Sequence, residues 1–246
     1  MILEFLFFGS LVGLMSGFFG IGGGTVLVPL LLFLGLDMKE AVAISIMQMV
    51  FSSLYGSYLN SKKYGSIFKD GLLIGFGGAL GGMLSGYIVA SVSSYSLEVV
   101  FTAIVAFTLF KIIATKSKDE HLNEKREAHP YLLILLGACV GMIAMSIGVG
   151  GSILITPILA AYLGYNLKHA SSLGLFFVIF SSISGFVSFS LHDQMLFFEG
   201  SIVGIGSLLG VYFGIKIKHQ THITHFKKYN IILYALILAY MSYKIY

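Results

Sequence analysis

The sequence predicts an all-α polytopic membrane protein made of two inverted-topology repeats, each a broken helical hairpin followed by three transmembrane helices. Three observations carry that reading. Of the 246 residues 57% are hydrophobic and only 11% charged, with a mean hydropathy of +0.93, whereas a soluble domain has about 25% charged residues to coat its surface. The apolar residues fall into runs near 2–36, 41–61, 67–90, 96–115, 131–164, 169–190, 196–217 and 226–245, enough for about eight to ten segments at roughly 20 residues per crossing. The last four runs also repeat the first four. Disordered, collagenous and disulfide-rich secreted classes are excluded by the same composition.

Sliding the second half over the first by 128 positions superposes Gly9 on Gly137, Gly13 on Gly141, Gly20 on Gly148, Gly22 and Gly23 on Gly150 and Gly151, and Pro29 on Pro157. One inserted residue then pairs Gly35 with Gly164, Lys39 with Lys168, Phe51-Ser52-Ser53 with Phe180-Ser181-Ser182, and Gly77 and Gly81 with Gly206 and Gly210. Pro29 and Pro157 are two of only three prolines in the chain. The expected units are therefore a first transmembrane repeat at 1–115, a charged linker at 116–130 and a second repeat at 131–246.

Run 2–36 is too long for one crossing, because a 35-residue helix would measure about 50 Å against a hydrocarbon core of about 30 Å. Its first basic residue is Lys39, so the segment lacks the basic start of a signal peptide and is read as part of the mature fold. Run 41–61 carries Gln48 between Ser45 and Ser52-Ser53. In run 67–90 the glycines Gly71, Gly75, Gly77, Gly78, Gly81, Gly82 and Gly86 recur along what reads as an unbroken helix, where small residues serve helix packing; Gly75→Ala is expected to be mild. Run 96–115 closes the first unit. The linker KSKDEHLNEKREAHP is a solvated loop, with Pro130 opening the next helix. Run 131–164 is the second hairpin, with the lone Cys139 read as a small core residue. Runs 169–190, 196–217 and 226–245 follow as three crossings.

Lysine and arginine fix the expected orientation. Loops at 62–69, 111–126, 168 and 216–228 gather every basic residue except Lys39 and Lys244 on one side, while the connections at 91–97 and 191–195 have none. By the positive-inside rule the basic side is cytoplasmic, and both termini lie outside. Each long run must then begin and end on one side, the first outside and the second inside. That makes the two units inverted repeats, an architecture that many secondary transporters share.

Both hairpins break at glycine clusters, at residues 20–24 and 148–152. Consecutive glycines disfavour helix by about 1 kcal/mol each relative to Ala, and open backbone at membrane depth survives only when buried in protein or facing a water-filled cavity. Helices restarting there direct free N–H groups and partial positive charge at one another's neighbourhood, which suits an anion. The expected substrate-binding residues are Gly22, Gly23, Gly24 and Thr25 with Gln48 and Ser52 in the first unit, and Gly150, Gly151, Ser152, Ile153 and Ser181 in the second. Gln48 leads the polar candidates, since an amide in lipid requires a partner while a serine can bond its own helix. No Lys or Arg stands at the centre of a run, and Glu4, Glu98 and Glu199 lie near run ends as solvated carboxylates.

Other chemistries lack residues. A phosphate-cradling loop needs a Lys-Ser/Thr pair after its last glycine, and none follows here. Neither a Ser-His-Asp nor a paired-carboxylate constellation lies within the membrane, so no enzyme activity is expected. His219, His222 and His225 have helical spacing but read as a polar loop, so neither a metal nor any other cofactor is expected. The pI of 9.0 reflects topology rather than nucleic-acid binding.

At the paired breaks the sequence resembles the sulfite exporter TauE/SafE family. The residues that carry the resemblance are residues 17–24 (GFFGIGGG) with Val28-Pro29, and residues 148–152 (GVGGS) with Thr156-Pro157. The resemblance implies a multi-pass permease of the plasma (cell inner) membrane for a small sulfur-containing anion such as sulfite, sulfoacetate or an organosulfonate. Together with the inverted units it points to alternating access. An anion channel and a non-transport structural component are the alternatives. Expected partners are the anionic substrate and the lipid bilayer, with a coupling proton or ion and a homo-oligomer left open.

Overall fold

The computed structural model describes residues 2–61, 68–114, 129–165 and 167–245. The bulk of the 116–130 linker, including its basic residues, lies outside the described residues. Every regular element among those described is a helix. The first unit comprises α1 (Ile2–Phe19), α2 (Gly24–Phe33), α3 (Met38–Ser61), α4 (Phe68–Gly82), α5 (Ser85–Ser91) and α6 (Ser94–Ala114). The second comprises α7 (Pro130–Ser146), α8 (Ser152–Tyr162), α9 (Leu167–Leu191), α10 (Phe197–Gln220) and α11 (Ile223–Ile245). Ile2–Phe19, Met38–Ser61, Gly71–Ser91, Ser94–Ala114, Lys168–Leu191 and Phe197–Gln220 are each long and apolar enough to cross a membrane.

Both long runs do break at their glycines. α1 ends at Phe19 and α2 restarts at Gly24; α7 ends at Ser146 and α8 restarts at Ser152. The intervening Gly20, Gly22, Gly23, Gly148, Gly150 and Gly151 all have φ between +70° and +93°, a region an L side chain enters only at a cost of about 1–2 kcal/mol. α3 starts for a different local reason. Asp37 Oδ2 accepts from the Lys39 N–H at 3.2 Å and Glu40 Oε2 accepts from the Asp37 N–H at 2.9 Å, a reciprocal capping box.

Glycine stripes set the closest packing. A Cβ built on Gly9, Gly13 or Gly17 of α1 would collide with the backbone of Val203, Ser207 or Val211 in α10, and one built on Gly206, Gly210 or Gly214 would collide with Leu6, Ser10 or Leu14. The same exchange joins α4 to α7, through Gly77 and Gly81 on one helix and Gly137 and Gly141 on the other. Backbones this close give dense van der Waals contact where lipid supplies no hydrophobic drive between helices. The remaining contacts also come in matched pairs: α3 with α10 and α9 with α4, α2 with α3 and α8 with α9. At the centre α3 packs on α9, while the more exposed α6 packs on α11.

Four expectations need correction here. The run at 67–90 is not one helix, because it breaks at Met83-Leu84. Ser188 of α9 causes the break by donating to the Met83 carbonyl at 2.7 Å and accepting from the Gly86 N–H at 2.9 Å, which takes both groups from the helical ladder. Gly75 is no inert position, since an added Cβ would stand 2.5 Å from the Phe180 ring. Cys139 is exposed, because the packing face of α7 passes through Gly137 and Gly141 and leaves Cys139 on the other side. Glu98 is a paired carboxylate rather than a solvated one, bonded to Lys244 Nζ at 2.5 Å.

Contacts between connections sort the molecule into two ends. Asp37 accepts from Ser94 Oγ at 2.7 Å, placing the α2–α3 and α5–α6 connections together with Glu98 and Lys244. At the other end Lys168 Nζ donates to the Thr221 carbonyl and Lys227 Nζ to that of Ile113 at 3.5 Å. The two residues set apart in the charge partition, Lys39 and Lys244, thus share an end with carboxylates.

Candidate functional site

The sequence places Ser45, Gln48 and Ser52 on one face of α3, at spacings of three and four residues, and the structure turns that face onto both breaks. Ser45 Oγ donates to the Gly148 carbonyl at 2.9 Å and Ser52 Oγ to the Gly22 carbonyl at 3.0 Å. Between them the Gln48 amide lies against Gly23, where an added Cβ would sit 2.5 Å from Oε1 and 2.8 Å from Nε2. Gln48 has no solvent-exposed surface, and neither polar atom of its amide finds a partner among the described residues. Thr25 and Ser152, the second and first residues of the restarting helices, are likewise fully buried with unpartnered hydroxyls.

The breaks touch. Gly24 packs so tightly on the Gly148 carbonyl that no side chain fits between them, and Gly22 and Gly150 both face Met49 and Val178. In each restarting helix the first amide donors are the third and fourth residues: Val26 and Leu27 bond the Gly23 carbonyl, and Leu154 and Ile155 that of Gly151. The preceding N–H groups make no backbone bond among the described residues. Pro29 and Pro157 add a further break in the ladder, since neither can donate to the carbonyl four residues back, at Thr25 and Ile153. Such ends carry partial positive charge from their free N–H groups.

The halves differ chemically where they correspond in sequence. Met49 and Val178 are equivalent by the repeat, as are Gln48 and Phe177, and Phe177 occupies at Gly151 the place Gln48 takes at Gly23, 2.5 Å from an added Cβ in the one case and closer still in the other. Gly24 opposite Ser45 is matched by Ser152 opposite Gly174, so each contact holds one glycine and one serine with the order reversed. One break is lined by an amide and the other by a phenyl ring. Ser181 bonds its own helix, at the Phe177 carbonyl, and Ile153 is fully buried apolar surface.

Sequence reasoning missed Met49, Val178 and Phe177, which read as ordinary packing residues until the repeat alignment is applied to them. It also passed over Thr156, a buried unpartnered hydroxyl that shares Gly174 with Ser152. An open groove of about 690 Å³ at the Asp37 end, between α1, α3 and α10, is lined by Glu40 and Glu199 among apolar residues. No group of three or more His, Cys, Asp or Glu residues able to hold a metal occurs among the described residues.

A multi-pass helical bundle with two buried breaks has the form of a membrane transporter, and that is how its relatives are named. A probable membrane transporter protein of Methanocaldococcus jannaschii is 27% identical, with 80% of this chain and 74% of the relative aligned. One from Haemophilus influenzae is 28% identical over 76% and 73%, and YdhB of Bacillus subtilis is 24% identical over 84% and 86%. The chain belongs to the sulfite exporter TauE/SafE family, which it matches over residues 5–241. No solved structure matches it.

Proposed function

We propose that this protein is a secondary transporter of a small sulfur-containing anion, sulfite or an organosulfonate such as sulfoacetate, working by alternating access in the plasma membrane. The observation that carries the proposal is the fully buried Gln48 amide, unpartnered at the first of two touching helix breaks. A buried amide without partners costs about 1–3 kcal/mol per group, and a ligand oxyanion that takes its N–H removes part of that penalty. The anion is held chiefly by the N–H groups at residues 22–25 and 150–153, with Gln48, Thr25 and Ser152 adding side-chain donors. Backbone donors hold no proton to lose, so the site discriminates by shape. Phe177, Met49 and Val178 supply an apolar wall, which suits the carbon skeleton of a sulfonate.

The closed packing around the breaks supports an occluded conformation, with each end opening in turn as the two units rock. Matched packing of α1 on α10 and α7 on α4 supports the inverted-repeat reading on which that motion rests. Counterflow in proteoliposomes tests it. A carrier preloaded with unlabelled sulfite or sulfoacetate accelerates uptake of label; a channel shows no such trans-stimulation. Gly23→Val and Gly151→Val, compared at equal membrane abundance, should abolish the signal. Normal counterflow by both variants would reduce the breaks to packing devices.

A further inference from the structure

The charge partition assigns Lys168 and Lys218 to loops, and the structure does not. Lys218 lies in the last turn of α10 with no exposed surface, and Lys168 in the first turn of α9 is 8% exposed. Ser172 links them: its Oγ donates to the Lys168 carbonyl at 3.0 Å and accepts from Lys218 Nζ at 3.0 Å. Lys168 Nζ also bonds the Thr221 carbonyl at the end of α10, where a cation complements the helix dipole. Lys218 shares that helix end, yet its ammonium has three N–H donors and one hydroxyl partner among the described residues. Among the described residues neither lysine meets a carboxylate. The repeat sharpens the point, because Lys168, Ser171, Ser172 and Lys218 correspond to Lys39, Val42, Ala43 and Val89. The fold closes at the equivalent position with three apolar side chains, so packing does not require this cluster.

We propose that Lys218, Lys168, Ser171 and Ser172 form a second oxyanion site at the basic end of the bundle. Two buried ammonium groups with no counter-ion repel each other in a low-dielectric setting, and a doubly charged sulfate- or phosphate-type group compensates both. The site adjoins the first break, since Gly20 packs against the Ser171 backbone carbonyl and hydroxyl. An anion here stands on the approach to the break from the basic end. A free oxyanion and a lipid phosphodiester share this chemistry. The site does not depend on the transport reading.

The test uses the full chain in phosphatidylcholine nanodiscs, titrated with sodium sulfate against sodium chloride at constant ionic strength, with melting temperature and calorimetric affinity as readouts. Sulfate should raise the melting temperature of the wild type; Lys218→Met should bind at least about tenfold more weakly, the loss of one charge-assisted contact, and Lys218→Arg should stay near wild type. Nanodiscs containing phosphatidylglycerol separate the sources: a Lys218-dependent rise with that lipid but not with sulfate assigns the site to a headgroup. If Lys218→Met does not fold, Lys168→Met carries the same comparison. Equal responses of wild type and folded lysine variants to both probes, or no response to either, overturn the site. Gly23→Val should keep its sulfate response while moving nothing, so failure of transport and failure of this site are told apart.

Discussion

Gln48 poses a conflict between stability and function at a single position. Its amide has zero exposure and no partner, so Gln48→Leu removes two unsatisfied polar atoms from the interior without a large change of volume. The variant should melt higher, by the equivalent of about 1 kcal/mol or more, yet lose counterflow. Detergent melting curves and proteoliposome flux measured on one preparation check both halves, and unimpaired flux would take Gln48 out of the site. Asp37 makes a different, pH-dependent contribution. Burial would raise its carboxyl, but the Ser94 hydroxyl, the backbone N–H groups of Lys39 and Met38 and the Lys39 charge together hold it below its ordinary value. A depressed carboxyl stabilises the fold fully above its unfolded value near 3.8, and that contribution is lost as pH falls through the folded value. Asp37→Asn should therefore lower the melting temperature more at pH 7 than near pH 3, where the contribution is already falling. A deficit of equal size at both pH values would mean that the carboxylate charge plays no part.

At the scale of helices, stability rests on glycine-to-backbone contact more than on interlocking large side chains. Gly81 and Gly210 stand at the closest approaches of α4 to α7 and of α10 to α1, where a Cβ would meet the backbone of Ala138 or Ser10. Backbone cannot give way as a side-chain tip can. Gly81→Ala and Gly210→Ala should each destabilise by about 1–3 kcal/mol and deplete folded protein, measurable as loss of the monodisperse peak on size-exclusion chromatography. Gly35 is the proper comparison: it is exposed, with nothing within 4 Å of an added Cβ and φ of +91°, so Gly35→Asn should be tolerated. The bend between α4 and α5 belongs to Ser188. Removing its hydroxyl frees the Met83 carbonyl and the Gly86 N–H together, and Ser188→Ala should lower the melting temperature in that bundle region without touching the breaks.

Among the described residues charge is polarised, with Lys39 and Lys244 standing beside carboxylates at the acidic end. One end carries Asp37, Glu40, Glu98 and Glu199, and the other carries Lys168, Lys218 and Lys227. An anion approaching from the first end meets carboxylates at the groove mouth, and from the second it meets lysines. The basic end is expected in the cytoplasm. After Cys139→Ala, an impermeant maleimide applied to intact cells should label Ser93→Cys, in the α5–α6 connection, and spare Gln220→Cys at the end of α10. Labelling of Gln220→Cys alone would invert the orientation and with it the order in which the anion meets the two ends.

Repetition, composition and glycine spacing suffice to predict much of this architecture. Hydrophobic runs mark segments long and apolar enough to cross, six of which the fold keeps as such helices, and the repeated glycines at 20–24 and 148–152 mark the breaks because no other residue enters their φ so readily. Asp37 and Glu40 start α3 by local chemistry alone, a signal that the apolar runs do not register. Gln48 was legible as a candidate since an amide in lipid stands out. What it lies against was not, because contact between α3 and the first break joins separate segments, as Ser52 and Gly22 do, and contact with the second joins Ser45 to Gly148, 103 positions apart. The same holds for Phe177 in Gln48's place in the second unit, and for Ser188, whose effect on α4 and α5 falls on another helix. Lys218 is the plainest case: on a helix end its sequence context matches a solvated lysine, and only the tertiary fold, which brings Ser172 of α9 to its ammonium, decides that it is buried.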